Sequence, residues 1–275
     1  MSSSSNQIAQ CAESVARACP LCNRGASLAR PSIAGRVRCV CGMAYRPVPS
    51  TYLRFVEAWD SRYYANSGLR RFEEVAGTRR REACRVLVEK VSRSVTVGRW
   101  LDIGCGTGTL LAETLAFGWE PFGIDVSARA VAVAQRCGLN VICGSFPQDM
   151  IPGLYDVVSM TCVLEHVESP GQMLAECKAR LRPGGRLVLQ LKNLSFWMYM
   201  ERFYRDRQSM WRPEDVQTFT PRTIRHLLRD IGFETQQVMP KEIIGHRLVS
   251  GCMRGWGAVT GQVISPNMIV LAAPS

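Results

Sequence analysis

LDIGCGTG at residues 101–108 and GIDVS at residues 123–127 are the stretches that decide the fold of this chain. The apolar residues that lead into the first stretch, beginning at Gly98, predict a buried parallel strand. Gly104 and Gly106 then begin a glycine-rich segment that predicts a tight turn into a helix. A turn of this kind lets a ligand contact bare backbone, so the first stretch predicts a binding site.

An acidic residue lies near the end of the second predicted strand, PFGIDV. Asp125 lies 21 residues after Gly104, where a carboxylate can accept hydrogen bonds from both hydroxyls of a ribose. A nicotinamide dinucleotide also matches this pattern, but its pyrophosphate would sit on the helix N-terminus close to Asp102 and be repelled. The nucleoside ligand is therefore expected to be cationic at this end.

The rest of the chain predicts further strands in a regular order, and one amphipathic helix near the C-terminus. That helix lies in FTPRTIRHLLRDIGFE at 219–234, where Ile224, Leu227, Leu228 and Ile231 recur at helical spacing before Gly232. The predicted strands are VICGSF at 141–146, YDVVSMT at 155–161, the segment after the Pro-Gly-Gly turn in LRPGGRLVLQLKN at 181–193, FETQQVMP at 233–240 and NMIVLAAP at 267–274.

These stretches, in this order, resemble the class I S-adenosylmethionine-dependent methyltransferases from about residue 98 onward. The resemblance implies an α/β fold with a Rossmann-like, seven-stranded, mostly parallel sheet that contains one antiparallel strand. It also implies that Asp102 holds the ammonium group of the methionine moiety, that Ser145 lies near the adenine amine and that Phe146 lies against the ring. The implied S-adenosylmethionine site consists of Asp102, Gly104, Cys105, Gly106, Asp125, Val126, Ser145, Phe146 and Cys162.

Two residues after the fourth predicted strand are candidate catalytic groups. His166 follows this strand where the reacting methyl group is expected, so it is either a general base or a histidine bonded to the loop backbone. Glu165 lies in a loop similar to that of ubiquinone-biosynthesis O-methyltransferases, whose acid-rich version binds a divalent cation. Cys162 stands where that version has an acid, which disfavours a catalytic metal here. We expect Cys162 to line the cofactor pocket instead.

Residues 195–219 are predicted to form a lid over the acceptor. This segment carries aromatic side chains that serve either as the lid or as ordinary core. Related chains often have an Arg-His pair here, at positions that match Glu214 and Asp215. These acids either act on the acceptor, cap the next helix or pair with Arg212. The aromatic residues are Phe196, Trp197, Tyr199, Phe203, Tyr204 and Trp211.

Four cysteines in the first 49 residues form two closely spaced pairs, Cys19 with Cys22 and Cys39 with Cys41. Four thiolates suit tetrahedral Zn²⁺, and the region resembles the zinc-ribbon segments that precede many small-molecule methyltransferases. The second pair is separated by one residue rather than two, which departs from that pattern. The alternatives are a structural zinc, with Cys11 as a substitute ligand, and four reduced cysteines in a degenerate ribbon.

The chain is therefore expected to consist of a zinc-ribbon-like module at 1–49, a helical connector or cap at 50–97 and a class I methyltransferase domain at 98–275. A composition of 47% apolar and 21% charged residues agrees with one large core plus a small appendage. The N-terminus lacks the apolar run of a signal peptide, and no segment is apolar enough to cross a bilayer. We expect a cytoplasmic protein.

Basic charge is concentrated in the first 100 residues, which carry 17 Lys and Arg against 7 Asp and Glu, a net +10. Such a region could attract RNA, although the run Arg79, Arg80 and Arg81 reads as a solvated helix face. The sequence thus predicts O-methylation of a small metabolite, such as a sugar or a natural-product intermediate. The alternatives are an RNA methyltransferase that uses the basic zinc module, and a cofactor-binding scaffold without turnover.

Overall fold

The computed structural model describes residues 17–25, 30–31, 36–47, 66–149, 153–200, 215–241, 263 and 265–275. Its strands are β1 (Arg30–Pro31), β2 (Val37–Arg38), β3 (Ala44–Tyr45), β4 (Arg99–Ile103), β5 (Glu120–Asp125), β6 (Val141–Cys143), β7 (Tyr155–Thr161), β8 (Leu181–Lys192), β9 (Gln217–Thr218), β10 (Phe233–Pro240) and β11 (Asn267–Pro274). Its helices are α1 (Asn66–Ser92), α2 (Thr109–Ala116), α3 (Ala128–Arg136), α4 (Pro170–Ala179), α5 (Leu194–Met200) and α6 (Pro221–Asp230), with a 3₁₀ turn at Leu164–His166.

The larger sheet has seven strands in the order β10-β11-β8-β7-β4-β5-β6. Strand β11 is antiparallel to both of its neighbours, β10 and β8, and every other pair in this sheet is parallel. The sheet therefore contains a single antiparallel strand, as expected. The α/β, Rossmann-like fold class is confirmed.

The predicted strands differ from the observed ones at two places. The strand predicted from VICGSF ends at Cys143, so Ser145 and Phe146 lie in the following loop. The Pro-Gly-Gly segment was expected to form a turn before β8, but β8 runs through it from Leu181. The pairing of β7 with β8 shifts register between Tyr155 and Val157, opposite this segment, which accommodates the extra residues as an irregularity.

Alternation along the central strand explains why helices cover both faces of the sheet. On β4, Leu101 and Ile103 belong to one core cluster, whereas Trp100 belongs to the cluster on the opposite face. Trp100 packs edge-on against Trp119 with their rings 5.1 Å apart, and both lie under the apolar face of α1. Burial on both faces is typical of parallel sheets and accounts for the continuous apolar runs in the sequence.

The smaller sheet has the order β1-β2-β3-β9, so it joins the N-terminal segment to residues 217–218. Strands β1 to β3 come from the cysteine-containing segment, and β9 comes from the segment predicted as a lid. Cys19, Cys39 and Tyr45 share one core cluster with Leu164 and Phe219. The cysteine-containing segment is therefore packed onto the methyltransferase-like part through common apolar contacts.

Among the helices within the described part of the chain, none is long and apolar enough to span a membrane.

Helix α6 carries a capping box at its N-terminus. The Thr220 hydroxyl accepts a hydrogen bond from the Thr223 backbone N–H at 3.0 Å, and the Thr223 hydroxyl accepts one from the Thr220 N–H at 2.8 Å. We expect Thr220→Ala to lower the free energy of unfolding by about 1 kcal/mol, because the capping acceptor is lost. Thr220→Ser keeps the hydroxyl and should leave urea denaturation unchanged. An equal loss in both variants would contradict a capping role.

Candidate active site

A cavity of about 610 Å³ opens at the carboxyl ends of the parallel strands. This volume lies within the range of roughly 300–1,000 Å³ that is usual for small-molecule sites. The cavity is lined by all nine residues predicted to bind the cofactor and by His166, but not by Glu165. Residues of α1 close one side of it. The structure therefore brings the predicted cofactor residues and one predicted catalytic residue into a single space.

The glycine-rich turn after β4 forms the cavity wall nearest to α2. Gly104, Gly106 and Gly108 all have positive φ angles, of 71°, 58° and 80°. A Cβ atom on Gly104 would overlap the side chain of Val163. Glycine is required here because only glycine adopts this backbone at no steric cost and leaves room for the adjacent loop.

Asp125 ties this turn to the end of β5. Its carboxylate accepts hydrogen bonds from the backbone N–H groups of Gly106 and Ser127, each at 2.8 Å. The Asp125 side chain is almost fully buried and lines the cavity. These two bonds fix the position of the carboxylate that is predicted to contact the ribose.

Asp102 is the second carboxylate of the cavity, and it is shielded from water. Its Oδ1 accepts a hydrogen bond of 2.6 Å from the Ser159 hydroxyl, which in turn accepts one from the Trp100 ring N–H at 2.8 Å. Burial raises the pKa of Asp102 to about 7, although the Ser159 bond and Arg80 act in the opposite direction. A cationic ligand group beside Asp102 would favour its charged form.

His166 and Glu165 point in different directions because successive residues of a 3₁₀ turn are about 120° apart. His166 faces the cavity, and its Nδ1 lies 3.7 Å from Oδ1 of Asp215. Asp215 is buried and forms a 2.7 Å ion pair with Lys192. This separation brings the imidazole within the field of a carboxylate but is too long for a direct hydrogen bond.

Glu165 lies behind the cavity, against the sheet. Its Oε1 accepts a hydrogen bond from the Lys192 backbone N–H at 2.6 Å, and its buried Oε2 has no hydrogen-bond partner among the described residues. Burial raises the pKa of Glu165 to about 7. The structure does not place Glu165 where it could contact an acceptor or a cation in the cavity.

Cys162 lines the cavity in an unusual backbone conformation. Its φ angle is 55°, in the left-handed region that residues with side chains rarely adopt, and its N–H donates to the Gln190 carbonyl at 2.9 Å. The Gln190 amide also donates to the Cys162 sulfur at 3.1 Å. Backbone strain of this kind is concentrated at ligand sites, where surrounding bonds hold it in place.

Several cavity residues were not predicted from the sequence, among them Arg80 and Cys84 of α1 and Lys241 after β10. Arg80 was expected on a solvated face, whereas it faces the cavity and Arg81 is the exposed neighbour. Burial raises the pKa of Cys84 to about 11, while Arg80 and Lys241 act to lower it. The sequence does contain a pattern that could have indicated these α1 residues. The spacing of Arg80, Cys84 and Leu87 places all three on one helix face.

The described part of the predicted lid does not line the cavity. The Trp197 ring packs edge-on against Phe196 and donates a hydrogen bond to the Pro266 carbonyl at 2.9 Å, and Tyr199 is 60% exposed. Asp215 forms an ion pair with Lys192 at 2.7 Å, and its Oδ1 lies 3.7 Å from Nδ1 of His166. The other residues named for this segment lie outside the described residues: Phe203, Tyr204, Trp211, Arg212 and Glu214.

The four predicted metal ligands converge. The sulfur of Cys19 lies 3.6 Å from that of Cys41, and the sulfurs of Cys22 and Cys39 are 3.4 Å apart. All four lie within 4.8 Å of one another. Zn–S bonds of about 2.3 Å in a tetrahedron require sulfurs about 3.8 Å apart, so the observed arrangement fits Zn²⁺. The shortened spacing of the second pair does not prevent convergence, and Cys11 lies outside the described residues.

Comparison with known proteins identifies the family. Residues 75–238, more than half of the chain, match the family described as "Methyltransferase domain". The chain belongs to the class I S-adenosylmethionine-dependent methyltransferases. It is 36% identical over 110 residues to the ubiquinone biosynthesis O-methyltransferase of Burkholderia orbicola, an alignment that covers 37% of this chain. The chain thus spans about half the length of the curated relatives that it matches, 47% for this one.

Solved structures of methyltransferases share the fold. Magnesium protoporphyrin IX methyltransferase from Synechocystis PCC 6803, solved with bound SAH, superposes with a TM-score of 0.57 at 18% identity. That match covers 78% of this chain and 97% of the other. The CcbJ methyltransferase from Streptomyces caelestis has a TM-score of 0.52 at 13% identity, with coverage of 70% and 89%. The predicted membership of this methyltransferase class is confirmed, whereas the RNA alternative stays a prediction.

The raised pKa of Asp102 generates a pH prediction for cofactor binding. The ligand's ammonium group should require ionised Asp102, so affinity should increase as the pH rises from 6 to 7.5. With a pKa of about 7, the ionised fraction and hence the affinity should increase about 5- to 10-fold over this range. Calorimetry with S-adenosylhomocysteine at several pH values measures this change. Asp102→Asn should bind more weakly with a flat pH profile; an unchanged slope in this variant would refute the assignment.

Proposed function

We propose that this methyltransferase binds S-adenosylmethionine in the 610 Å³ cavity and methylates an oxygen atom of a small molecule, with His166 as general base. The observation that carries the proposal is the shared cavity. One part of it holds two buried carboxylates, Asp102 on β4 and Asp125 at the end of β5, beside the glycine-rich turn. Another part holds His166, which lies next to the Asp215–Lys192 pair. Such a site can both hold a cationic nucleoside and accept a proton.

Different residues of the cavity would contact different parts of the cofactor. Asp125 is positioned for the ribose hydroxyls, and Asp102 for the ammonium group of the methionine moiety. Ser145 and Phe146, in the loop after β6, would contact adenine. This arrangement directs the sulfonium towards the end of β7, where Cys162 and His166 lie. S-adenosylmethionine supplies an electrophilic methyl group and leaves as the neutral thioether.

The protein contributes to the reaction by positioning the acceptor oxygen and by removing its proton. Holding the acceptor oxygen about 3 to 3.5 Å from the methyl carbon and in line with the C–S bond supplies most of the acceleration. His166 Nδ1 faces Asp215, which favours a proton on that nitrogen and leaves Nε2 to take the acceptor's hydroxyl proton. The proton would leave the oxygen as the new O–C bond forms, so no alkoxide has to exist freely.

An oxygen acceptor of modest size is supported by two observations. The chain is 36% identical over 110 residues to a protein named ubiquinone biosynthesis O-methyltransferase, which supports an oxygen acceptor. The cavity also places Glu168, Gln172 and Gln190 among its lining residues, and these groups can hydrogen-bond a polyhydroxylated metabolite such as a sugar or natural-product intermediate. A screen of sugars, phenols and RNA separates these classes. Turnover that is insensitive to salt supports the small acceptor, whereas a steep fall with salt would indicate RNA.

Two substitutions separate cofactor binding from proton removal. Asp125→Ala should weaken S-adenosylhomocysteine binding about 10- to 100-fold, because hydrogen bonds to a charged group are lost. His166→Ala should leave that affinity within about twofold but lower kcat by about 10²- to 10⁴-fold for the acceptor found by screening. Calorimetry and a radiolabelled methyl-transfer assay measure the two effects. Full turnover in His166→Ala would show that no base is needed at this position.

We also propose that Cys19, Cys22, Cys39 and Cys41 bind one structural Zn²⁺, since the four sulfurs converge at distances that suit this ion. A closed set of four protein ligands leaves no open position for catalysis.

Elemental analysis of the purified protein should find one zinc per chain, and chelation should lower the thermal midpoint because metal-binding energy is folding energy. Cys22→Ser should lose the metal. Cys137→Ser, at an exposed cysteine outside the cluster, should retain it. Equal zinc content in the two variants would refute the site.

A further inference from the structure

The short segment 215–218 lies between the cysteine module, whose described residues are 17–25, 30–31 and 36–47, and the 3₁₀ turn that carries His166. Its residues Asp215, Val216, Gln217 and Thr218 are all buried, at 3% exposure or less. Each side of the segment makes hydrogen bonds to a different part of the protein. The two sets of bonds make this segment the connection between the module and the turn.

On the module side, β9 pairs with β3, with Tyr45 opposite Gln217. The Arg46 N–H donates to the Val216 carbonyl at 2.8 Å. The buried Arg36 guanidinium donates to the Asp215 carbonyl at 2.7 Å, and Arg46 reaches the same oxygen at 3.3 Å. The backbone of the residue that faces His166 is therefore held by two arginines of the module.

On the catalytic side, the Gln217 amide closes the 3₁₀ turn. Its Nε2 donates to the Leu164 carbonyl at 2.9 Å and to the Val167 carbonyl at 2.6 Å, the residues on either side of Glu165 and His166. Its Oε1 accepts a 3.0 Å hydrogen bond from Arg17 of the module. One side chain thus binds both ends of the turn and the module at the same time.

The cysteine cluster is connected to β3 through one short turn. The Cys39 N–H donates to the Met43 carbonyl and the Gly42 N–H to the Cys39 carbonyl, both at 2.9 Å. Strand β3 begins at Ala44, the residue that follows Met43. A cation that holds Cys39 and Cys41 together would restrict this turn, and therefore the strand that pairs with β9.

We propose that Gln217 is a positioning residue through which the cysteine module orients His166. Binding of Zn²⁺ to the four cysteines of the module then controls methyl transfer and not cofactor binding. This inference rests on the proposed function of His166 as the base. The carboxylates Asp102 and Asp125 accept hydrogen bonds from Ser159, Gly106 and Ser127, none of which belongs to the module. Cofactor affinity should therefore be independent of the module.

The first test requires no acceptor. The chain has three histidines, so the ring signals of His166 can be assigned in an NMR spectrum with the help of His166→Gln and His226→Gln. Removal of zinc from the wild-type protein with a chelator should shift the His166 signals, and added Zn²⁺ should restore them. His226 lies on α6 and pairs with Asp230, so its signals should stay in place. Unchanged His166 signals after metal removal would overturn the proposal, as would a wild-type module that holds no metal.

The second test uses Gln217→Leu, which keeps the size of the side chain but removes both donors and the acceptor. Misplacement of the base by about 1 Å should lower kcat about 100-fold, with S-adenosylhomocysteine affinity within about twofold of wild type. Thr218→Val is the matched control, because Thr218 lies on the same buried strand and its hydroxyl has no hydrogen-bond partner among the described residues. This control should retain wild-type turnover.

A double-mutant cycle separates positioning from general stability. In a His166→Ala background, Gln217→Leu should cause no further loss of kcat, because the group that it positions is already absent. An equal loss in both backgrounds, or a parallel loss of cofactor affinity, would indicate a merely structural role. If Gln217→Leu does not fold, the chelation experiment on the wild-type protein still tests whether the module orients His166. Failure of the wild type to bind S-adenosylhomocysteine would refute the proposed function, yet the NMR result would still report on the coupling.

Discussion

The hydrogen bonds that Asp125 accepts from the Gly106 and Ser127 backbone are the constraint on which the site depends. They join the turn after β4 to the end of β5, two neighbouring parallel strands whose carboxyl ends share one edge. The positive φ angles of the glycines would allow many other paths for this turn. The buried carboxylate selects one of them, and in doing so it shapes the wall of the cavity.

Two buried acids show how one physical effect serves different roles. Burial raises the pKa of both Asp102 and Glu165 to about 7. Asp102 faces the cavity, where a cationic group can compensate for the lost water. Glu165 faces the sheet, where its Oε1 accepts a hydrogen bond from the Lys192 backbone N–H. The first acid is therefore suited to ligand binding, and the second to holding the 3₁₀ turn against β8.

The small sheet connects the cysteine-containing segment to the rest of the enzyme. Its strands do not form a sheet of their own, since the fourth strand of that sheet, β9, comes from residues 217–218. Shared core contacts and buried arginines then connect the module to the neighbourhood of His166. A module that looks merely structural by its ligand set thus lies against the elements that surround the proposed base.

Sequence alone sufficed to predict the parallel sheet, the glycine-rich turn, the final antiparallel strand and a group of cavity-lining residues that includes Asp102 and Asp125. These features are encoded locally, because strand alternation and glycine turns depend on residues that are close in the chain. The positions of Arg80, Lys241 and Gln217, and the orientation of Glu165 towards the sheet rather than the cavity, could be learned only from the tertiary structure. Each depends on contacts between segments far apart in sequence, such as Gln217 with Leu164, and no local pattern specifies which distant partner a buried polar group will meet.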